Sequence, residues 1–385
     1  MEDTFIVMSA VVACSAVLAW LASQGRQPIL MGYFVGGVLL GPACLGLVTS
    51  VELLHDMSHF GVMLLLFLAG LVLHPDRLRT FGGKAVAVTV AVFVVTWLPV
   101  FGLLRLWGLG SIEAAIGAVA FTFSSTILVV KLLPTTTLHQ RRMGSICIAI
   151  LIAQDLLAVI VLLFVGPEAA TGHMQLLWLP IKAILLIALA VVGEQYVLRW
   201  MMRRADRYNE VLVMLCLGWC VGVALAGSFL GIPHEVGAFV AGVTIARGKI
   251  ALILSEQLKP LRDFFLMFFF FVLGAGLEFA GLANVWAPAL LIAALIVGTR
   301  PWLLAFLFRR LGEEPGFSRE TGIRLGQASE FALVIAVAGA EGGRLSSGTS
   351  QLVQLAAVLT MLASSYIVVL KCPTPIGVRP GLQRD

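Results

Sequence analysis

The sequence predicts an all-α polytopic membrane protein of about thirteen transmembrane helices, arranged as two inverted-topology repeats with two discontinuous helices. Three observations carry that prediction. The 385 residues are 60% hydrophobic and only 12% charged, with a mean hydropathy of +1.01, far outside the range of a water-soluble domain. Basic residues collect in alternate loops, and two separate motifs recur at one common offset of 205 residues (237 − 32).

Apolar runs bounded by charges, Gly and Pro place spans near 4 to 24, 28 to 41, 59 to 73, 85 to 107, 112 to 131, 144 to 165 and 176 to 199. Further runs follow near 209 to 229, 234 to 247, 263 to 279, 284 to 308, 318 to 341 and 350 to 371. The chain opens Met1-Glu2-Asp3, without the basic start of a secretory signal, so the first run reads as a retained span. Pro28 to Gly41 and His234 to Ala246 are short or glycine-rich. Such helices persist in lipid only when other helices cover them. His234 and Glu235, at the start of one of them, read as a helix cap and a charge lining an outer mouth.

An N-terminus outside puts Arg26, Lys131, Arg141, Arg142, Arg207, Arg247, Lys249, Arg379 and Arg384, with most of the other basic residues, on the inner side. Of the 26 Lys and Arg, Arg105, Lys182 and Arg344 fall outside and Arg300 falls within a span. That bias is the positive-inside pattern, and it sets a cytoplasmic C-terminus. Because the cations are spread over many short loops, the net charge of +5 reports topology and not a nucleic-acid surface. The six cysteines form no CxxC pair, which indicates neither a disulfide framework nor a metal cluster. Cys216 and Cys220, one helical turn apart, read as packed small hydrophobes. No GxGxxG follows a strand pattern, so neither a nucleotide site nor a cofactor is expected.

The repeat shows in Gly32-Tyr33-Phe34-Val35-Gly36-Gly37-Val38 against Gly237-Ala238-Phe239-Val240-Ala241-Gly242-Val243. The same offset aligns Ser124-Ser125-Thr126-Ile127-Leu128-Val129 with Ser329-Glu330-Phe331-Ala332-Leu333-Val334. The parts are a first repeat over 1–165, a linker span over 166–208, a second repeat over 209–371 and a tail over 372–385. Six spans per repeat with one between them make the copies run in opposite directions, a pattern of secondary transporters. The polar clusters Phe121 to Thr126 and Gly326 to Glu330 stand mid-span in corresponding places. Hydroxyls and an amide there replace backbone hydrogen bonds where a helix unwinds, leaving carbonyls and helix-end dipoles for an ion.

The costliest residue is Asp155, in the run Ile150-Leu151-Ile152-Ala153-Gln154-Asp155-Leu156-Leu157-Ala158-Val159-Ile160. It lies 13 residues beyond Arg142 and 11 before Gly166, near the middle of a hydrocarbon slab about 30 Å thick. A carboxylate there costs on the order of 2.5 kcal/mol or more, so such acids mark ion or proton paths or bind a neighbouring helix. Gln154 adds oxygen without a titratable charge, so one cation would trade for one proton at Asp155 and electroneutral exchange is the expectation.

These stretches, together with Phe271-Val272-Leu273-Gly274-Ala275-Gly276-Leu277 and Gly326-Gln327-Ala328-Ser329-Glu330-Phe331-Ala332, resemble the monovalent cation:proton antiporter-2 family, above all its Kef-type potassium efflux group. The resemblance covers nearly the whole chain. It implies a sodium/proton antiporter-like fold with two crossing broken helices, a dimerisation domain giving a homodimer, and elevator-like exchange in the bacterial inner membrane. By that resemblance Asp155 is the carboxylate for the monovalent metal cation and the proton. Gln154 takes a place that is Asn or Asp in sodium-proton relatives. Ser124, Ser125 and Thr126 line the first crossover, and Gln327, Ser329 and Glu330 the second. Arg300 matches the basic residue of the eleventh span, its partner being the crossed helix ends, Glu330 or Asp155.

Kef-type chains continue into a regulatory nucleotide-binding domain, whereas these residues stop at Asp385, and Ile250 to Arg262 holds only the acid Glu256. Glutathione gating is therefore not expected; a regulatory domain or subunit would lie outside this chain. The expected substrates are K+ and H+, in a membrane-lipid environment, with Na+/H+ exchange as the alternative. A channel-like K+ path and an ion-sensing membrane domain are alternatives of another class. An enzyme is not expected, because no Ser/His/Asp or metal-ligand set gathers in the spans.

Overall fold

In hydrocarbon every backbone N–H and C=O must find a partner within the protein, and an α-helix satisfies them locally. The computed structural model describes residues 2–42, 44–48, 52–73, 75–133, 142–166, 173–205, 209–246, 250–277 and 279–375, and its regular elements among these are all helices. Arg141, Arg207, Arg247, Lys249, Arg379, Arg384 and most of the 372–385 tail lie outside the described residues.

The first half of the chain forms α1 (Glu2–Gln24), α2 (Ile29–Leu40), α3 (Glu52–Val72), α4 (Pro75–Leu106), α5 (Ser111–Ala120), α6 (Thr126–Leu132) and α7 (Arg142–Val165). Then come α8 (His173–Gly193), a π turn (Glu194–Leu198), α9 (Arg199–Ala205), α10 (Asn209–Phe229), α11 (His234–Ile245) and α12 (Ile250–Ala275). The last four are α13 (Phe279–Arg310), α14 (Pro315–Arg324), α15 (Glu330–Glu341) and α16 (Ser347–Lys371). By length and composition, 8 helices among the described residues can cross a membrane, and Ile29–Leu40, Ser111–Ala120 and His234–Ile245 are shorter apolar ones.

Several helices outrun their apolar spans. α3 begins at Glu52, α4 at Pro75 and α12 at Ile250, well before the apolar starts at 59, 85 and 263. Hydropathy registers only the part of a helix that needs lipid, while the helix itself extends through polar turns beyond it. Pro75 and Pro315 begin their helices, where the missing N–H costs nothing. His234 does not cap α11: the N-cap is Pro233, without a side-chain cap, and the His234 ring is hydrogen-bonded to Ser228 instead.

Packing divides the chain into two units that each draw on both of its halves. The first comprises Met1–Ser50, Phe81–Ala158 and Phe270–Asp385, and holds both polar clusters and Asp155. Within it α2 packs on the end of α12 through glycine. A Cβ on Gly37 would lie 1.9 Å from the Phe271 carbonyl oxygen, and one on Gly274 would lie 2.0 Å from that of Phe34. A Cβ on Gly32 would lie 2.6 Å from the backbone of Leu18 and Ala19 of α1.

The second unit comprises Val51–Thr80 and Val159–Phe269. Within it α11 meets α3 in the same manner. A Cβ on Gly242 would lie 2.1 Å from the Phe67 oxygen, and one on Gly70 would lie 2.4 Å from that of Phe239. Gly237 lies against Val223 and Ala224 of α10. Glu235 faces His59 at 3.8 Å.

These contacts admit only a hydrogen on the Cα, so they predict a sharp size limit. Gly242→Ala should cost about 1–3 kcal/mol through forced backbone shifts. Gly222→Ala, where an added Cβ meets nothing within 4 Å, should cost nothing. Thermal unfolding of the two purified variants in detergent checks the contrast.

Candidate ion-binding site

The site begins with two helices that stop and restart. α5 ends at Ala120 and α6 starts at Thr126, while α14 ends at Arg324 and α15 starts at Glu330. Each break ends on a serine cap. Ser125 Oγ accepts from the Leu128 N–H at 3.1 Å, and Ser329 Oγ accepts from the Phe331 N–H at 3.2 Å. The caps stand 204 residues apart (329 − 125), one less than the 205 that aligned Ser124 with Ser329 and that separates the starts of α2 and α11. Capping sets the register at the breaks, pairing Ser125 with Ser329 and Thr126 with Glu330.

The three consecutive hydroxyls have three different tasks. Ser124 links the two breaks: its Oγ donates to the Leu325 carbonyl at 2.9 Å and accepts from Arg300 Nη2 at 2.9 Å. Ser125 caps α6. Thr126 Oγ1 donates to Asp155 at 3.2 and 3.3 Å from the two carboxylate oxygens.

Gln154 and Asp155 come from the middle of α7. Leu156, Ile160 and Phe164 mark its more exposed face, while Gln154 and Asp155 lie on the buried one, 1% and 5% exposed. Gln154 Oε1 accepts the Ser124 N–H at 2.8 Å, a donor that the broken helix would otherwise leave unpaired. One side chain thus repairs the backbone while its neighbour supplies the charge.

Arg300, on α13, is 1% exposed. Its Nη1 donates to the carbonyls of Phe121 and Phe123 at 3.0 Å and of Gln327 at 3.2 Å, and its Nη2 donates to that of Thr122 at 2.7 Å. Of the partners open to it in sequence, the guanidinium takes the oxygens of both broken helices. Glycine admits it so close: a Cβ on Gly322 would lie 2.4 Å from the Pro301 oxygen, and one on Gly326 would lie 2.5 Å from the Pro301 ring.

Glu330, 1% exposed, opens α15 and accepts the Ile127 N–H of α6 at 3.5 Å. The charges follow the helix dipoles. Arg300 lies at the carbonyl-rich end of α5, and both carboxylates bond the first turn of α6.

Residues that sequence reasoning did not single out complete the second break. Thr360 Oγ1 accepts the Ala328 N–H at 3.1 Å, and Ser364 Oγ donates to Gln327 Oε1 at 3.1 Å. The signal was a pair of hydroxyls four apart in the final apolar span. A second buried guanidinium, Arg324, donates to the Leu132 carbonyl at 2.9 Å and to that of Pro373 at 2.5 Å, tying the end of α6 to the residues after α16.

The set can hold a monovalent cation through hard oxygens, two from Asp155 and one from Thr126, or a proton on the same carboxylate.

Comparison with known proteins finds similar chains among membrane ion transporters. The chain is 30% identical over 383 residues to a glutathione-regulated potassium-efflux system protein, KefC, of Klebsiella pneumoniae, covering 96% of this chain and 60% of that one. It is 27% identical over 387 residues to the iron transporter MagA of Paramagnetospirillum magneticum, covering 94% and 84%. The chain thus spans about three-fifths of the length of the Kef-type relative. Among solved structures, the sodium proton antiporter MjNhaP1 of Methanocaldococcus jannaschii superposes with a TM-score of 0.65 at 15% identity, over 96% of both chains, and shares the fold. Residues 10–371 match the family described as sodium/hydrogen exchanger, transmembrane, and the chain belongs to that family.

Proposed function

We propose that the chain exchanges a monovalent cation, K+ first, for H+ by alternating access at Asp155 and Gln154. The observation that carries this reading is a nearly dry carboxylate in mid-helix, bonded to the first hydroxyl of a helix that has just restarted. Arg300 and Glu330 balance the helix-end charges around it, and Ser124, Ser125, Thr126, Gln327 and Ser329 keep the two breaks paired. K+ is favoured over Na+ by the amide at Gln154 and by the relative whose name is a potassium-efflux system. Na+/H+ exchange is the alternative, which the MjNhaP1-like fold accommodates.

The architecture that goes with this reading has about thirteen spans in two inverted repeats, crossing at the breaks. Its N-terminus is outside and its C-terminus cytoplasmic, and it forms a homodimer in a bacterial inner membrane. Paired glycine contacts at one offset, Gly32 with Gly237 and Gly37 with Gly242, support the repeat.

If proton and cation share Asp155, each excludes the other. Apparent KM for K+ should then rise about tenfold for each pH unit of acidification below the carboxylate's own pKa, and flatten above it. Proteoliposome exchange followed with a pH dye, with K+, Na+, Rb+ or Li+ added in turn from about pH 6 to 9, tests cargo and competition together. A KM for K+ that does not change with pH would move the proton away from Asp155. Flux without an opposing proton movement would favour a channel, and no flux a sensor. A sustained current scaling with the K+ gradient would overturn electroneutrality.

A further inference from the structure

A groove of about 500 Å³ opens in the first unit between α13, α14 and α16, and none of the ion-site side chains lines it. Its lining is ordered along α13. Gly298 comes first, where an added Cβ would meet nothing within 4 Å; Trp302 follows, 78% exposed; then come Phe306 and Arg309. These positions recur at helical spacing and so share a face, with Trp302 and Arg309 about 10 Å apart along the axis. At the Arg309 end two further cations converge, Arg319 of α14 and Lys371 at the end of α16. All three side chains are exposed, and none is paired with a carboxylate among the described residues. Apolar and open at one end, aromatic in the middle and triply cationic at the other, the groove has the polarity profile of a single amphiphile.

We propose that this groove is a binding site for an anionic phospholipid, its headgroup phosphate held by Arg309, Arg319 and Lys371 and one acyl chain lying past Phe306 and Trp302 toward Gly298. The charge decides the class. Three unpaired cations within one groove repel each other unless an anion joins them, and a zwitterionic headgroup brings its own cation. The apolar stretch decides the source, because a free phosphate has no use for Phe306 and Trp302 beyond the cations. Arg309 and Lys371 stand in the last turns of α13 and α16, and Arg319 lies in α14 just beyond the turn after α13, on the side proposed to face the cytoplasm, where a basic pocket between helices meets anionic lipid.

The test uses the full chain purified in a mild detergent and titrated with phosphatidylglycerol, phosphatidylcholine or inorganic phosphate, read by native mass spectrometry and by thermal unfolding. Phosphatidylglycerol should stay bound and raise the unfolding midpoint, whereas phosphatidylcholine and phosphate should do neither. Each cation near the headgroup contributes about fivefold in affinity, so the combined Arg309→Gln, Arg319→Gln, Lys371→Gln variant should bind on the order of a hundredfold more weakly. A control losing the same charge elsewhere, Arg199→Gln with Arg203→Gln and Arg204→Gln, should bind as the unmodified chain does. Gly298→Leu keeps every charge and fills the open end, so it should also weaken phosphatidylglycerol, which keeps the proposal testable if the triple variant folds poorly. Equal binding of the two lipids, a phosphate effect matching that of phosphatidylglycerol, or equal losses in the triple variant and the control would each overturn it.

Discussion

Asp155→Asn should abolish cation-dependent proton movement while leaving a folded protein. The substitution keeps the size of the side chain and an oxygen for the Thr126 hydroxyl, which lies 3.2 Å from the nearer carboxylate oxygen. What it removes is the charge. At about 4 Å and an effective dielectric near 20, a carboxylate attracts a monovalent cation by about 4 kcal/mol, so cation binding should weaken by roughly a thousandfold. The amide also takes no proton near neutral pH, so both halves of the exchange fail at once. Folding should not suffer, because an uncharged side chain is cheaper to bury than a carboxylate. Dye-monitored exchange in proteoliposomes, beside thermal unfolding of the same preparation, separates the two effects. Exchange at the unmodified rate in a well-folded Asp155→Asn chain would place the transported ion elsewhere.

The parts of this site that were legible in sequence are those whose cost is intrinsic to the residue. Asp155, Arg300 and Glu330 are conspicuous because a charge in hydrocarbon must be explained wherever the chain folds. The two breaks were legible for a related reason, since the clusters around Ser124 and Gln327 are too polar for uninterrupted lipid-facing helix. Offset 205 pointed to one cluster from the other. It missed their register by one residue, because a serine becomes a cap through the N–H it reaches and the string of letters does not record that. Ser125 and Ser329 show this directly.

Pairings across long separations were not legible. Thr360 and Ser364 look like tolerated hydroxyls in an apolar helix until α16 lies beside the second break, where they serve Ala328 and Gln327. The choice Arg300 makes among its possible partners depends on how closely α13 approaches α14, and so on Gly322 and Gly326, whose role is invisible in composition. Helix starts were missed wherever a polar turn precedes the apolar run, as at Glu52 and Ile250. Nothing in hydropathy distinguishes such a turn from a loop.

Arg300→Met should unfold or severely loosen the first unit, and the reason is the number of acceptors left behind. The guanidinium serves the carbonyls of Phe121, Thr122, Phe123 and Gln327 and the Ser124 hydroxyl, all buried at the breaks of two helices. Methionine fills much of the volume but donates nothing. Each unsatisfied buried acceptor costs about 1–3 kcal/mol, and even if water enters to relieve some of them the net loss should be about 3–5 kcal/mol. Arg300→Lys retains the positive charge at the carbonyl-rich end of α5. A compact ammonium, however, cannot span both breaks as the planar fork does, so its stability should fall between the other two. Unfolding midpoints in detergent should therefore rank the unmodified chain above Lys and Lys above Met. Equal midpoints would mean that the breaks hold without Arg300. If Arg300→Lys were as stable as the unmodified chain yet failed to exchange, the guanidinium would be acting in the transport cycle, through Glu330 or a transient approach to Asp155, and its hold on the carbonyls would be secondary.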